Sequence, residues 1–284
     1  MSVGLLSSAL ACAPVTSGSP GGVATPVALS ADQLAIELDH LQLMPEKDGT
    51  SAPRGLKNPT TQEVVTYLRS ILQDLDTTWS DFFKRLGLEH RQVKYVLVTP
   101  QQHSVTSRCS GQKQMVVIRH DTPNATFCRA DRQGSPAVAG TIYLPVTALQ
   151  KVWEGDIFGR LSTQAGDHSV AVIAAHEFAH YVTRELQWQF QQRFAQYPLP
   201  TGKWKELLSD CMAGVWSAHT HLKPTDVREA VTALEKVGDY EVNSPGHHGT
   251  PQERKDAVLV GFNGIPHRYA PRTPAACVLK YWKT

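Results

Sequence analysis

Apolar residues recur at helical spacing over residues 61–86. Val64, Val65, Leu68, Ile71, Leu72, Leu75, Trp79 and Phe82 fall on one face there, and Gly87 closes the run. Short β-branched runs predict strands at 93–98, 115–118 and 141–144. A nearly unbroken apolar run over 170–182 predicts a buried helix, with Asp167 or Ser169 as its cap. Residues 187–196 are polar around Trp188, Phe190 and Phe194, and predict a separate helix at the border of a cleft. Over 204–219, Trp204, Leu207, Leu208, Cys211, Val215 and Trp216 form an apolar stripe. Residues 224–237 and 252–262 predict two more helices, and 31–41 a short one. Residues 13–30 are rich in Ser, Gly, Pro, Thr, Val and Ala, follow neither period and predict a flexible tether. The expected organisation is a leader and tether over 1–30 and one folded domain over 31–284.

The buried run carries His176-Glu177-Phe178-Ala179-His180. Four residues make just over one helical turn, so both imidazoles leave the helix on one face. Two neutral imidazoles so placed can hold one Zn²⁺, and the intervening Glu177 can reach a water on the metal. A bare motif of this length also recurs by accident, with the histidines as ordinary core residues. The 204–219 stripe lowers that chance. Glu206 and Asp210 lie four apart on it, among Leu207, Leu208 and Cys211. Glu206 is the expected third ligand. Asp210 is the expected partner for the free ring nitrogen of a ligand histidine, a bond that fixes the tautomer.

Further blocks follow in order. Glu206-Leu207-Leu208-Ser209-Asp210-Cys211-Met212-Ala213-Gly214-Val215-Trp216 precedes Val237-Gly238-Asp239-Tyr240 and then His248-Gly249-Thr250-Pro251-Gln252-Glu253-Arg254. These resemble the bacterial neutral zinc metallopeptidases, whose blocks read HExxHH-V-Q, E-L-Q-A-D-C-x-A-G-x-W, I-G-D-D and H-G-T-S-E-Q-R. Leu75-Asp76-Thr77-Thr78-Trp79 resembles the opening helix of that family, and Cys109 with Phe127-Cys128 its paired cysteines. The chain departs from the pattern at Ala179, Tyr181 and Tyr240, and exchanges Gln and Glu at 252 and 253. None of these changes removes a proposed ligand or base; Tyr240 leaves the role of the usual second Asp in doubt. The metal helix followed by a Glu-x-x-x-Asp helix also resembles the thermolysin-like zinc peptidases. The implied fold is α+β and zincin-like, mostly helical, with a small sheet beside the HExxH helix.

The chain has 284 residues, enough for a full core, and a net charge of +2 with mixed signs along its length. It has no basic run or aromatic-interleaved basic stripe of the kind that binds nucleic acid. No apolar stretch reaches the length of a membrane-spanning helix. Its five cysteines admit two readings. In one, Cys109 pairs with Cys128 and Cys211 with Cys277, as in a chain exported from the cytosol. In the other, all five are buried free thiols. Cys12 follows Leu5-Leu6-Ser7-Ser8-Ala9-Leu10-Ala11, which resembles the end of a bacterial lipoprotein signal. On that reading Cys12 is acylated and the protein is a cell-envelope lipoprotein. Leu10 is large for its place, however, and no Lys or Arg precedes the run. A secreted protein, or a cytoplasmic one with a meaningless Cys12, is the alternative.

The expected activity is zinc-dependent endopeptidase action on a peptide or protein substrate. Zn²⁺ on His176, His180 and Glu206 activates water, and Glu177 acts as general base and then acid. His248 is the expected oxyanion donor, with His247 and Tyr240 as competitors. Asp239 is expected to order that loop, Arg254 to be an ion-pair partner, and His219 and His221 to be solvated. A catalytically silent zinc-fold binding protein and a hydrolase of non-peptide amides remain alternatives.

Overall fold

Helix α1 (Ala31–Asp39) precedes α2 (Thr61–Arg85), whose inward face is the one the periodicity predicts. Thr60 opens α2 through a reciprocal capping box: its hydroxyl accepts the Glu63 N–H and the Glu63 carboxylate accepts the Thr60 N–H. Then follow β1 (Gln92–Val98), β2 (Ser104–Ser107), β3 (Val116–Arg119), β4 (Thr126–Cys128), β5 (Val138–Pro145) and α3 (Val146–Trp153). A two-residue hairpin pair, β6 (Asp156–Ile157) and β7 (Arg160–Leu161), leads to α4 (Asp167–Arg193). The chain ends in α5 (Lys203–His219), α6 (Pro224–Lys236), α7 (Pro251–Asn263) and α8 (Pro274–Tyr281). The computed structural model describes residues 31–39, 56–109, 115–132, 135–193, 198–220, 223–244 and 246–283. The leader, the tether, Cys12 and His221 lie outside them.

The architecture is α+β. The main sheet runs β1-β5-β4, with β1 parallel and β4 antiparallel to β5. Every residue of β5 is buried, so it carries no alternation, and only residues 141–144 were legible as a strand. The strand read at 115–118 pairs with β2 in a separate ribbon. The short β4 is the edge that lies along α4.

One helix replaces two. The 170–182 run and residues 187–193 of the next segment belong to the single 27-residue α4, about 40 Å long at 1.5 Å per residue. Residues 194–196 lie outside the described ones. The polar interruption does not break the helix because its charge is satisfied: Glu185 is fully buried and pairs with Arg91 at 2.6 Å. The Arg91 guanidinium in turn covers the Trp188 ring.

Helices α5 and α7 pack closely. A Cβ on Gly214 would collide with the Val258 carbonyl, and one on Gly261 with the Cys211 carbonyl. These two glycines set the distance between the helices. Cys109 is bridged to Cys128, and Cys211 to Cys277, with Cα separations of 5.1 and 5.5 Å. The two-bridge reading therefore holds for these four residues. The first bridge anchors the end of β4, and the second ties α8 to α5. His219, expected to be solvated, is buried beside Thr78, whose hydroxyl lies 3.2 Å from its Nε2.

The start of α4 is held by a polar cluster. The Glu229 carboxylate accepts the His168 N–H at 2.9 Å, and the buried His168 ring meets the Ser217 hydroxyl and stacks on Trp216. Burial lowers the His168 ring to about 4, against an opposing pull from Asp226. The unfolded chain therefore binds a proton between pH 6.5 and 4 that the folded chain refuses, so this group costs stability as pH falls through that window. Glu229, raised to about 7 by burial and by Asp167, acts in the opposite sense. The His168 contribution is thus read from a difference. Relative to His168→Gln, the wild type should lose roughly 2 kcal/mol between pH 7 and pH 5. Urea titrations at both pH values measure it, and parallel pH profiles for the two proteins would refute it.

Candidate metal centre

His176 and His180 leave α4 on one face because they are four apart, and that face packs on the first two turns of α5. Glu206 sits in the first turn of α5, where the helix dipole favours a carboxylate. The His176 Nε2, His180 Nε2 and a Glu206 oxygen lie within 4.8 Å of one another. Glu206 Oε2 is 3.2 Å from the first nitrogen and 3.6 Å from the second. Zinc bonds of about 2.0–2.1 Å in a tetrahedron imply donor separations of roughly 3.4 Å, so this triad has the right size.

The remaining nitrogens are already engaged. His176 Nδ1 is 2.7 Å from Asp210 Oδ1, and His180 Nδ1 is 2.8 Å from the Ser209 hydroxyl. Both rings therefore turn Nε2 toward the shared point. Ser209 was not anticipated, although its spacing of three from Glu206 puts it on the same helical face. Asp210 is fully buried and takes two hydrogen bonds from Arg254, each 2.7 Å. Burial would raise the Asp210 carboxyl, but the Arg254 charge outweighs it and holds it below the usual range. Burial would likewise lower the His176 ring, but Asp210 and Glu206 raise it to about 9. The Glu206 carboxyl stands well below its ordinary range. There the His180 charge and hydrogen bonds from both rings overcome burial.

Arg254 arrives because the His-Gly-Thr-Pro-Gln-Glu-Arg block is the start of α7. Thr250 caps it, Pro251 occupies the first turn, and Glu253 completes a capping box while pairing with Lys203. Gly249 has φ +98°, and a Cβ there would stand 2.9 Å from the Leu207 side chain. Glycine thus lets the loop lie against α5. Asp239 holds the loop from the other end. It accepts the His248 and Glu241 N–H groups and meets the His247 ring. Burial opposes its charge, but these bonds hold Asp239 at about 2.

The triad opens into a cleft of about 720 Å³ between β4, α4, the start of α5 and the His248 loop. Glu177 lines it, and its Oε2 accepts the Phe127 N–H of β4 at 2.7 Å. His248 lines it with its side chain 55% exposed. His247 is buried behind the loop against Asp239. Tyr240 lines an adjoining hollow that shares Arg160 and Lys236 with this cleft, and does not itself line the cleft.

A family model described as "Putative neutral zinc metallopeptidase" matches residues 17–263. The chain belongs to this family. The match begins inside the segment read as a tether. The chain is similar to the uncharacterized protein YpfJ of Escherichia coli (strain K12), with 25% identity over 266 residues, 87% of this chain and 84% of YpfJ. It is also similar to the uncharacterized protein Rv2575 of Mycobacterium tuberculosis (strain H37Rv), with 28% identity over 151 residues, 43% of this chain and 51% of Rv2575. No solved structure matches the chain. The family description brings zinc to a donor set of two imidazoles and a carboxylate, which suits that ion.

Proposed function

We propose that the protein is a zinc-dependent endopeptidase, with His176, His180 and Glu206 as ligands and Glu177 as general base. The observation that carries this reading is a closed donor triad, with both outer ring nitrogens engaged, beside the Glu177 carboxylate in one cleft. Bound zinc would supply Lewis acidity, lowering the pKa of water and polarising a carbonyl. The chain supplies the rest. Glu177 accepts the proton of the attacking water and delivers it to the leaving nitrogen. The Phe127 N–H fixes one Glu177 oxygen and leaves the other for that water. As an edge strand, β4 offers backbone groups along which an extended peptide can align. His248, at the cleft mouth, is the oxyanion donor.

Two measurements test this assignment. Glu206→Ala should lose tightly held zinc, read by elemental analysis after dialysis against a weak chelator. Zinc at the wild-type stoichiometry would place the third ligand elsewhere, with Asp210 next in line. His248→Ala should keep its zinc and lose roughly a hundred- to a thousand-fold in kcat, with kcat/KM falling in parallel. His247→Ala should lower thermal stability and change kcat little. If both variants stay within a few-fold of wild type, the donor is a backbone amide of the sheet edge.

A further inference from the structure

The described lining of the cleft is unbalanced in charge. Its carboxylates are Glu177 and Glu206, whereas its cations are Arg129, Arg160, Arg184, Lys205, Lys236 and Arg254. Three of these cations are spoken for. Arg254 is locked to Asp210, Lys205 pairs with Glu206 at 3.0 Å, and Arg160 donates to the carbonyls of Lys236 and Gly238. Arg129, Arg184 and Lys236 have no carboxylate within ion-pair distance among the described residues. Arg184 is steadied by the neutral Gln187 side chain at 2.7 Å.

The place of two of these cations is informative. Arg184 follows the ligand His180 by one helical turn on the same face of α4, about 6 Å along the axis. Arg129 directly follows β4, whose Phe127 contacts Glu177 through its N–H and Tyr181 through its ring. Helix and strand thus run side by side from the metal triad to an arginine pair. Burial and then the charges of Arg129, Arg91 and Arg132 hold the Arg184 guanidinium below its usual pKa, against a smaller upward pull from Glu185, whose carboxylate is paired with Arg91. An extended peptide advances about 3.3 Å per residue, so this pair stands within about two residues of a bond at the triad.

We propose that Arg129 and Arg184 form an acid-recognising subsite, and that the substrates are peptides with an Asp or Glu within two residues of the scissile bond. This rests on the peptidase reading above, with the cleft supplying selectivity as well as chemistry. The bidentate fork of an arginine suits a carboxylate, and this pair, Arg129 exposed and Arg184 partly buried, has no carboxylate at ion-pair distance among the described residues and gains one when substrate arrives.

The test uses binding, so it does not depend on turnover. Zinc-loaded Glu177→Gln protein is titrated with a fluorescein-labelled decapeptide carrying two Glu residues, with its Gln counterpart and with its Lys counterpart. The Glu peptide should bind about tenfold tighter than the Gln peptide at low salt. The margin should shrink at about 0.5 M salt. Arg184→Lys should retain a preference for the Glu peptide. Arg129→Glu with Arg184→Glu should reverse the order in favour of the Lys peptide, which loss of structure alone would not do. Failure of the wild type to cleave any peptide of a diverse library would sink the peptidase reading while leaving the binding ratio readable. Equal affinity for the three peptides, or an order unmoved by the charge reversal, overturns the acidic subsite.

Discussion

Glu177→Gln should bind zinc at the wild-type stoichiometry, unfold at the wild-type temperature and hydrolyse no peptide. The carboxamide is nearly isosteric with the carboxylate. Its oxygen can still accept the Phe127 N–H, so β4 and the wall of the cleft keep their place. What the amide cannot do is take a proton. General base and acid action typically supplies about 10²- to 10⁴-fold in rate, and both roles fall on this one side chain. Activity within tenfold of wild type would remove Glu177 from the mechanism. A variant that lost zinc or unfolded early would show that the Phe127 contact carries the structure of the cleft, and the base would then have to be tested with Glu177→Asp.

Arg254→Met should destabilise the protein by about 3–5 kcal/mol, because it strands the fully buried Asp210 carboxylate without its counter-charge. The same change should weaken zinc binding. Asp210 fixes the His176 ring through Nδ1, and disturbing such a partner typically costs about 10- to 100-fold in metal affinity. The two effects separate in a double variant. Arg254→Met with Asp210→Leu removes both charges and should recover much of the stability, while zinc binding stays weak because His176 has lost its orienting acceptor. Chemical denaturation and a competitive zinc titration measure the two quantities. An Arg254→Met protein as stable as wild type would mean that water reaches Asp210.

Much of the site was legible because its spacing is local. His176 and His180 share a face by helical period, and so do Glu206 and Asp210. Two helices therefore brought three donors and one acceptor together once they packed. Ser209 was legible by the same rule and was passed over. The Cys109–Cys128 and Cys211–Cys277 bridges were expected among the alternatives and are present. What the sequence hid depends on tertiary contacts. The continuity of α4 rests on Arg91 neutralising Glu185 from far along the chain. The burial of His219 rests on its approach to Thr78 of α2. The full length of β5 was hidden because a strand buried on both faces has no alternation, and Ala139 and Gly140 look like turn residues. The short β4 has too few residues for any period, yet it lines the cleft.

The chain of contacts from Arg254 through Asp210 to His176 limits how this protein can change over generations. Asp210 serves two masters, an ion pair that keeps the core whole and an imidazole that holds a donor in place. A lineage cannot drift at one of the three positions without damage at another. Single steps pass through proteins that are unstable, metal-poor or both. A descendant that abandons the metal is therefore expected to replace the arginine and the aspartate together with apolar residues, not one at a time. Such a pair of coupled replacements at 210 and 254, beside intact helices, would mark a family member that has turned from chemistry to binding.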